Sequence, residues 1–341
     1  MGRPEASGEL RAAPEDFQVW ELPLIEPEGS GSHLWLEVRK RDANTPWVAS
    51  QLAAAAGVSP REVGYAGMKD RRAVTTQWFS VGLQEAADSD WPSWEIPGVT
   101  ILQAIRHGRK LQRGALRGNR FLVTLRSLLG GTDTLEDRLG QAARTGVPNY
   151  FGPQRFGHGG ANVERAARWL QRGGRIRRSE RSIYLSAVRS YLFNEVLAER
   201  VGLGTWNCLM GGDVVLLDGS RSTFRADTLD AELERRCTGF DIHPTGPLPG
   251  RSRGRRGECA SGEAAVLEEA VLGQYEELIA ALQAKSEDAD RRALRVLPTG
   301  LHWEIDGTDL TLEFVLPPGA YATSLLRELV LTEPASISDN R

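Results

Sequence analysis

Residues 63–80, VGYAGMKDRRAVTTQWFS, place one acid, Asp70, among Lys69, Arg71 and Arg72, in a stretch spaced by Gly64 and Gly67. A carboxylate among three cations stays ionised at neutral pH. Glycine permits backbone shapes and close approaches that a Cβ blocks. From residue 73 the chain turns β-branched and aromatic, as a strand leaving a turn does. The same residues also describe a salt-bridged surface turn, because ion pairs perturb carboxylates without any chemistry attached.

A second candidate lies at 147–157, VPNYFGPQRFG, where aromatics and the polar side chains Asn149, Gln154 and Arg155 stand among Pro148, Gly152 and Pro153. An amide both donates to and accepts from a base edge, and aromatic rings stack on an unstacked base. A structural turn has the same composition. A third is the run 106–126, in which Arg106, Arg109, Lys110, Arg113, Arg117, Arg120 and Arg126 occur with no acid between Glu95 and Asp133. The run reads either as an exposed phosphate-binding loop or as a solvated charge face.

The elements that must position these residues follow from pattern. Residues 17–25 and 33–40 read as strands, and Asn44-Thr45-Pro46 starts a helix that stops at Gly57. Residues 99–105 and 120–126 read as strands around a loop at 106–119. A helix over 133–144 opens on an Asp133/Glu136 capping box. Helices follow at 162–171, 183–201 and 262–284, with a strand at 213–217 and a loop at 241–257. Asp306-Gly307 makes a hairpin of 301–305 and 308–316, and 321–331 is a short amphipathic helix.

Composition bounds the rest. The chain has 341 residues, 40% apolar and 26% charged, and a net charge of −3, as in an ordinary globular protein of two domains or of one domain with an insertion. No apolar run reaches a membrane span, and the first residues lack the apolar core of a signal peptide, so a cytoplasmic location is expected. The cysteines, Cys208, Cys237 and Cys259, are too far apart for a zinc pattern. No Gly-Lys-Ser/Thr phosphate loop and no nucleotide-cofactor glycine fingerprint is present, which argues against a methyltransferase. A non-catalytic RNA-binding protein is the other alternative.

Five segments in order resemble the TruD family of tRNA pseudouridine synthases. These are PEDFxVxE followed by NTxxVAxxLA from residue 14, the Asp70 loop with its acid after Gly-x-Lys, and K-L-x-x-G-x-L-x-G-N from Lys110. NYFG-PQRFG and the aromatic before Ala-Thr-Ser at Tyr321 complete the set. The resemblance implies an α+β pseudouridine synthase catalytic domain, with a mixed, largely antiparallel sheet flanked by helices, over 1–174 and 296–341. It implies an inserted TruD-type α/β domain over 175–295 as the other wall of a cleft. It further implies isomerisation of uridine to pseudouridine, at position 13 of tRNA, with Asp70 as nucleophile. Phe17, Phe151 and Tyr321 are then cleft walls and Asn149 a substrate contact, with Tyr321 standing where the family usually has Phe. Lys69, Arg106, Arg109, Lys110, Arg113 and Arg117 meet the RNA backbone. Arg327 is the candidate cation for Asp70, a plain helix-surface arginine being the competing reading. Beyond tRNA the resemblance implies no cofactor, no metal, no membrane and a monomer.

Overall fold

The computed structural model describes residues 2–83, 94–252, 259–285 and 288–334. The chain divides into two compact units. The first takes the described residues of Met1–Ala143, Pro298–Ala322 and Leu326–Arg341, and the second takes those of Arg144–Leu297 and Thr323–Leu325.

The first unit opens with β1 (Ser7–Leu10), β2 (Phe17–Pro23), β3 (His33–Arg41) and α1 (Thr45–Ala55). It continues with β4 (Val63–Tyr65), β5 (Val74–Gly82), β6 (Val99–His107), β7 (Leu116–Leu129) and α2 (Thr132–Thr145). In the second unit β8 (Val147–Pro148) precedes α3 (Ala161–Arg172), α4 (Arg178–Gly202), β9 (Asp213–Leu217) and β10 (Thr223–Ala226). Then come α5 (Ala231–Thr238), β11 (Ile242–Leu248), α6 (Gly262–Leu272), α7 (Glu276–Lys285), β12 (Asp290–Ala293) and β13 (Arg295–Val296). The chain ends through β14 (Thr299–Asp306), β15 (Asp309–Leu316), α8 (Ala322–Leu329) and β16 (Leu331–Pro334).

Among the described residues ten strands form one sheet in the first unit, with the path β14-β15-β7-β2-β5-β3-β6. β1 joins it on β7 and β16, and β4 joins it on β5. Only β2–β5 and β1–β16 run parallel, so the sheet is mixed and largely antiparallel. Its register follows from alternation. On β15 the residues Leu310, Leu312, Phe314 and Leu316 are all buried, opposite the buried Phe121, Val123 and Leu125 of β7. A shift by one residue would turn all of these outward. Leu34, Leu36 and Val38 of β3 pack with Val48, Leu52 and Phe79 into one core cluster.

In the second unit β10-β9-β11-β12 form an antiparallel sheet, and β8 pairs with β13. The helix α4 buries Leu185, Val188, Leu192, Phe193 and Val196.

Several elements differ from the sequence expectations. The cap of α1 is Asn44, but its side chain makes no capping hydrogen bond. The helix α2 begins at Thr132, so Asp133 lies in its first turn and forms no capping box. The 262–284 helix is broken at Gly273, where a short 3-10 turn separates α6 from α7; glycine is a weak helix former. Within the expected 241–257 loop, β11 is a strand despite Pro244 and Pro247. β9 pairs with 242–244 and β12 with 245–248, so neither ladder runs the whole strand and the missing proline donors are tolerated. Residues 253–257 of that loop lie outside the described residues. Among the described residues, no helix is long and apolar enough to cross a membrane.

One buried pair holds the second unit at the C-terminal end of α4. Arg200 donates to both carboxylate oxygens of Asp213, at 2.9 and 3.0 Å, and to the carbonyls of Thr205 and Cys208. Asp213 also accepts from the Met210 amide at 2.7 Å. Both side chains are almost wholly buried, and a buried charge left alone is costly. Asp213→Ala strands the guanidinium and is expected to cost about 3–5 kcal/mol in urea unfolding. A loss below about 1 kcal/mol would show that water reaches the pair.

Candidate active site

Asp70 lies on the loop between β4 and β5, and buried polar side chains fix the backbone of that loop. The Lys69 amide donates to Thr45 Oγ1 at 3.1 Å, Thr45 Oγ1 donates to Gln77 Oε1 at 2.9 Å, and Gln77 Nε2 donates to the Gly67 carbonyl at 3.1 Å. Thr45 and Gln77 are both buried. Beneath the loop is Lys40, whose ammonium donates to the carbonyls of Ala43, at 2.7 Å, and of Asp70 itself, at 2.8 Å. Lys40 is 0% exposed. Burial pulls its pKa down to about 8, with the Asp70 charge acting the other way. The signal for it was present in the sequence, since Lys40 shares its face of β3 with the buried Leu34, Leu36 and Val38.

Consecutive loop residues point in opposite directions. The Lys69 side chain is buried and paired with the buried Glu21 on β2, and Glu21 also accepts from the Trp78 amide at 3.3 Å. Lys69 is therefore no phosphate-binding cation; that expectation is corrected by its ion pair. Asp70 is turned outward, with its side chain 46% exposed. The loop glycines are not alike. A Cβ on Gly64 would collide with the Leu111 carbonyl and Ser80 Oγ, whereas one on Gly67 would press on the Lys69 ammonium at 3.1 Å, and Gly67 has no positive φ.

The cation on Asp70 is Arg11, not Arg327 and not the flanking arginines. Arg11 Nη2 donates to Asp70 Oδ2, while Arg71 pairs with Asp42 at 3.3 Å and Arg327 Nη2 lies 3.5 Å from Glu328 Oε1. Arg11 reaches inward from a left-handed backbone position, φ 64°, and its guanidinium also lies 4.1 Å over the ring of Phe17. Phe17 is 2% exposed, edge-on to Phe121 at 6.1 Å, and Phe121 stacks on Phe314 at 5.2 Å. Asp70, Arg11 and Phe17 thus form one contact group. Nothing in the sequence signalled Arg11, because a turn rather than a strand alternation aims it. Tyr321, half-buried, lies in the first unit as the N-cap residue of α8, whose residues Thr323–Leu325 are counted with the second.

Asn149 and Phe151 belong to the second unit, in a group organised by Arg292. Asn149 Nδ2 donates to the Ala293 carbonyl at 2.9 Å, and Arg292 Nη2 donates to Asn149 Oδ1 at 2.6 Å. The Arg292 guanidinium lies 4.1 Å over the Phe151 ring, which meets Phe193 edge-on at 5.5 Å. Ser324 Oγ donates to the Tyr150 carbonyl at 2.8 Å, and Arg155 Nε donates to Ser190 Oγ at 3.2 Å. Sequence reasoning passed over Arg292, which stands in a plain basic strand with no motif around it.

The basic run is shorter as a loop than its sequence implied. Arg106 ends up on β6 and Arg117 on β7, which leaves 108–115 as the connection. Arg109, Arg113 and Arg117 are exposed, and Lys110 is half-buried with its ammonium on the Arg61 carbonyl. Acids from elsewhere in the fold meet the strand cations. Arg120 pairs with Glu313 at 2.7 Å, and Arg126 pairs with Asp16 at 2.7 Å and Asp309 at 2.5 Å. Among the described residues no group of His, Cys, Asp and Glu is arranged to hold a metal ion.

The family model described as tRNA pseudouridine synthase D (TruD) matches residues 1–175 and 160–329. The tRNA pseudouridine synthase D of Methylococcus capsulatus is 46% identical over 340 residues, covering 99% of this chain and 95% of that protein. The protein of the same name from Nitrosococcus oceani is 46% identical over 337 residues, covering 97% and 93%. The crystal structure of a putative tRNA pseudouridine synthase D from Methanosarcina mazei superposes with a TM-score of 0.71 at 24% identity, over 97% of this chain and 95% of that one. That likeness bears on the fold, which is the same mixed sheet with flanking helices. With the sequence matched end to end and the Asp70 loop built as described, the chain belongs to the tRNA pseudouridine synthase D (TruD) family.

Proposed function

We propose that this chain isomerises uridine 13 of tRNA to pseudouridine, with the Asp70 carboxylate as nucleophile. Family membership supports the reaction class, an intramolecular transfer by an isomerase. The observation that carries the residue assignment is the contrast within one loop. The loop backbone is tied to buried side chains, while the Asp70 carboxyl stands half in solvent.

The chemistry can be followed atom by atom. The uridine leaves its stack, at a cost of a few kcal/mol that contacts to the RNA offset. The carboxylate then attacks ribose C1′, or the base departs by elimination through a glycal. In either route the N1–C1′ bond breaks, the uracil turns and C5–C1′ forms, which displaces the Asp70 oxygen from C1′ in the first route and returns the C2′ proton in the second; C5 then gives up a proton and N1 gains one. Composition and redox state are unchanged, so the reaction consumes no co-reactant. Arg11 orients the carboxylate through its guanidinium. Of the three aromatics expected as walls, Tyr321 is half-buried, whereas Phe17 lies under the Arg11 guanidinium and Phe151 under that of Arg292, so each of those two rings meets a base only when its arginine moves aside. Asn149 uses one N–H and one lone pair inside its unit; a primary amide keeps one more of each, the pair a uracil edge requires. In this reading residues 1–174 and 296–341 are the catalytic domain and 175–295 its insertion, and the protein works as a cytoplasmic monomer.

Three outcomes test this. Asp70→Asn, nearly isosteric but not nucleophilic, should bind tRNA and release no tritium from 5-tritiated uridine; turnover near the parent rate ends the assignment. For the exposed cations, Arg109 and Arg117 both changed to Gln should flatten the log–log salt slope of tRNA binding by about 1.4–1.8, and an unchanged slope would show that both face solvent in the complex. Lys40 gives the third. The folded chain releases its proton near pH 8 and an unfolded lysine holds it to about 10.5. The unfolded state therefore binds more protons between these values, and stability rises with pH across that window. In a protein carrying 13C-labelled lysine, one resonance of the four should titrate near pH 8 and vanish in Lys40→Arg; four ordinary titrations would refute it.

A further inference from the structure

We propose that Arg113, laid on the ring of Tyr65, is a stacking platform for one unpaired base of the RNA close to the target nucleotide. The inference rests on the reading of the chain as a tRNA-modifying enzyme. It departs from the phosphate contact that the basic sequence around Arg113 suggests.

The guanidinium carbon of Arg113 lies 3.8 Å over the centre of the Tyr65 ring, a separation that a guanidinium reaches face-on. Tyr65 is itself half-buried and backed by Phe79, with ring centres 5.8 Å apart. One face of the guanidinium is thus covered by an aromatic floor, and Arg113 is exposed. Among the described residues it makes no hydrogen bond or ion pair. Other arginines of the same unit are neutralised, Arg41 by Glu15, Arg71 by Asp42, Arg120 by Glu313 and Arg126 by Asp16 and Asp309. Among the described residues of the first unit, Arg113 combines a ring contact with the lack of an ion pair, whereas Arg11 over Phe17 and Arg120 over Trp20 are both paired.

The loop that carries it is anchored on both sides. Trp35 Nε1 donates to the Arg109 carbonyl, the Leu111 amide donates to Ser80 Oγ, and the Gly114 amide donates to the Ala66 carbonyl, each at 2.8 Å. A side chain already ordered loses little freedom when a ligand arrives. The last of these bonds also sets the location. Ala66 and Gly114 are the chain neighbours of Tyr65 and Arg113, so the stack stands at the root of the Asp70 loop. Five residues of extended chain span at most about 18 Å, which places the platform within a few nucleotides of any base presented to Asp70. A planar, delocalised cation stacks on the face of any unpaired base and adds attraction to the phosphates alongside. The ligand class is therefore a splayed nucleobase on an RNA strand, with no preference among the four bases.

The test is a coupling cycle on equilibrium binding of full-length tRNA transcripts to the Asp70→Asn protein, which leaves the RNA unmodified. The unpaired nucleotides near the target are replaced one at a time by an abasic residue, which removes the base and keeps the phosphate. At one position base removal should weaken binding about tenfold with Arg113 present and less than twofold in Arg113→Ala. Arg113→Lys keeps the charge but not the plane, so it should match Arg113→Ala at that position while retaining the parent salt slope. Tyr65→Phe should preserve the coupling. Equal factors in the parent and Arg113→Ala at every position would overturn the proposal, and so would full coupling in Arg113→Lys, which would mark a point-charge contact to phosphate. Failure of the parent protein to bind tRNA at all would remove the functional reading and this inference with it, whereas normal binding without coupling removes the inference alone.

Discussion

A buried ammonium under the Asp70 loop is the constraint on which the rest depends. Lys40 satisfies two backbone carbonyls, one of them that of Asp70, from a position with no access to water. Burying a charge is expensive, and the depressed pKa of Lys40 reflects that cost. What the fold obtains is a loop backbone that cannot drift. For the nucleophile proposed at Asp70 such anchoring matters, because misplacement by about 1 Å can cost about a hundredfold in rate. The rigidity is delivered from below, by Lys40, Thr45 and Gln77, so that the solvent face of the loop stays free for a substrate.

That arrangement explains why the loop's charges divide as they do. Five cations, Arg11, Lys40, Lys69, Arg71 and Arg72, lie near Asp70 in the sequence or the fold, yet among the described residues only Arg11 bonds its carboxylate, Lys40 reaching the backbone carbonyl. Lys69 turns inward to Glu21 and Arg71 pairs with Asp42. Three cations converging on one carboxylate would cover both of its oxygens with ion pairs. With a single guanidinium on Oδ2, the other oxygen remains open. Arginine suits the position because one planar group bonds the carboxylate with its edge and covers Phe17 with its face.

Much of the first unit was legible in its sequence because alternation and turn chemistry act locally. The Asp306-Gly307 hairpin, the Phe121/Val123/Leu125 face of β7 and the α1 boundary near Gly57 all follow from residues within a few positions of one another. What could not be read required contacts across long separations. The run from 96 to 132 contains no acid, but Arg120 and Arg126 find theirs at Asp16, in the short turn Pro14–Asp16, and on β15, more than a hundred positions away. A charge census along the chain therefore overstates the free positive surface. The same limit hid Arg11 and Arg292, each aimed by a fold contact rather than by a periodic pattern, and it made Arg327 look available for a carboxylate that Arg11 already holds.

The Lys-Asp pair at the tip of the loop shows how one motif meets two demands with adjacent residues. The two side chains have opposite surroundings, Lys69 buried on Glu21 and Asp70 half in solvent. Lys69 enters the interior because Glu21 waits there, and Glu21 is held by the Trp78 amide of β5. Breaking the Lys69–Glu21 pair would leave an uncompensated buried charge, so the inward turn of residue 69 is strongly enforced. Asp70 stands on the outer side of the same loop, its carbonyl held by Lys40 and its carboxyl by Arg11. In Gly67-Met68-Lys69-Asp70 the lysine is thus the anchor and the acid the carboxylate left in contact with solvent.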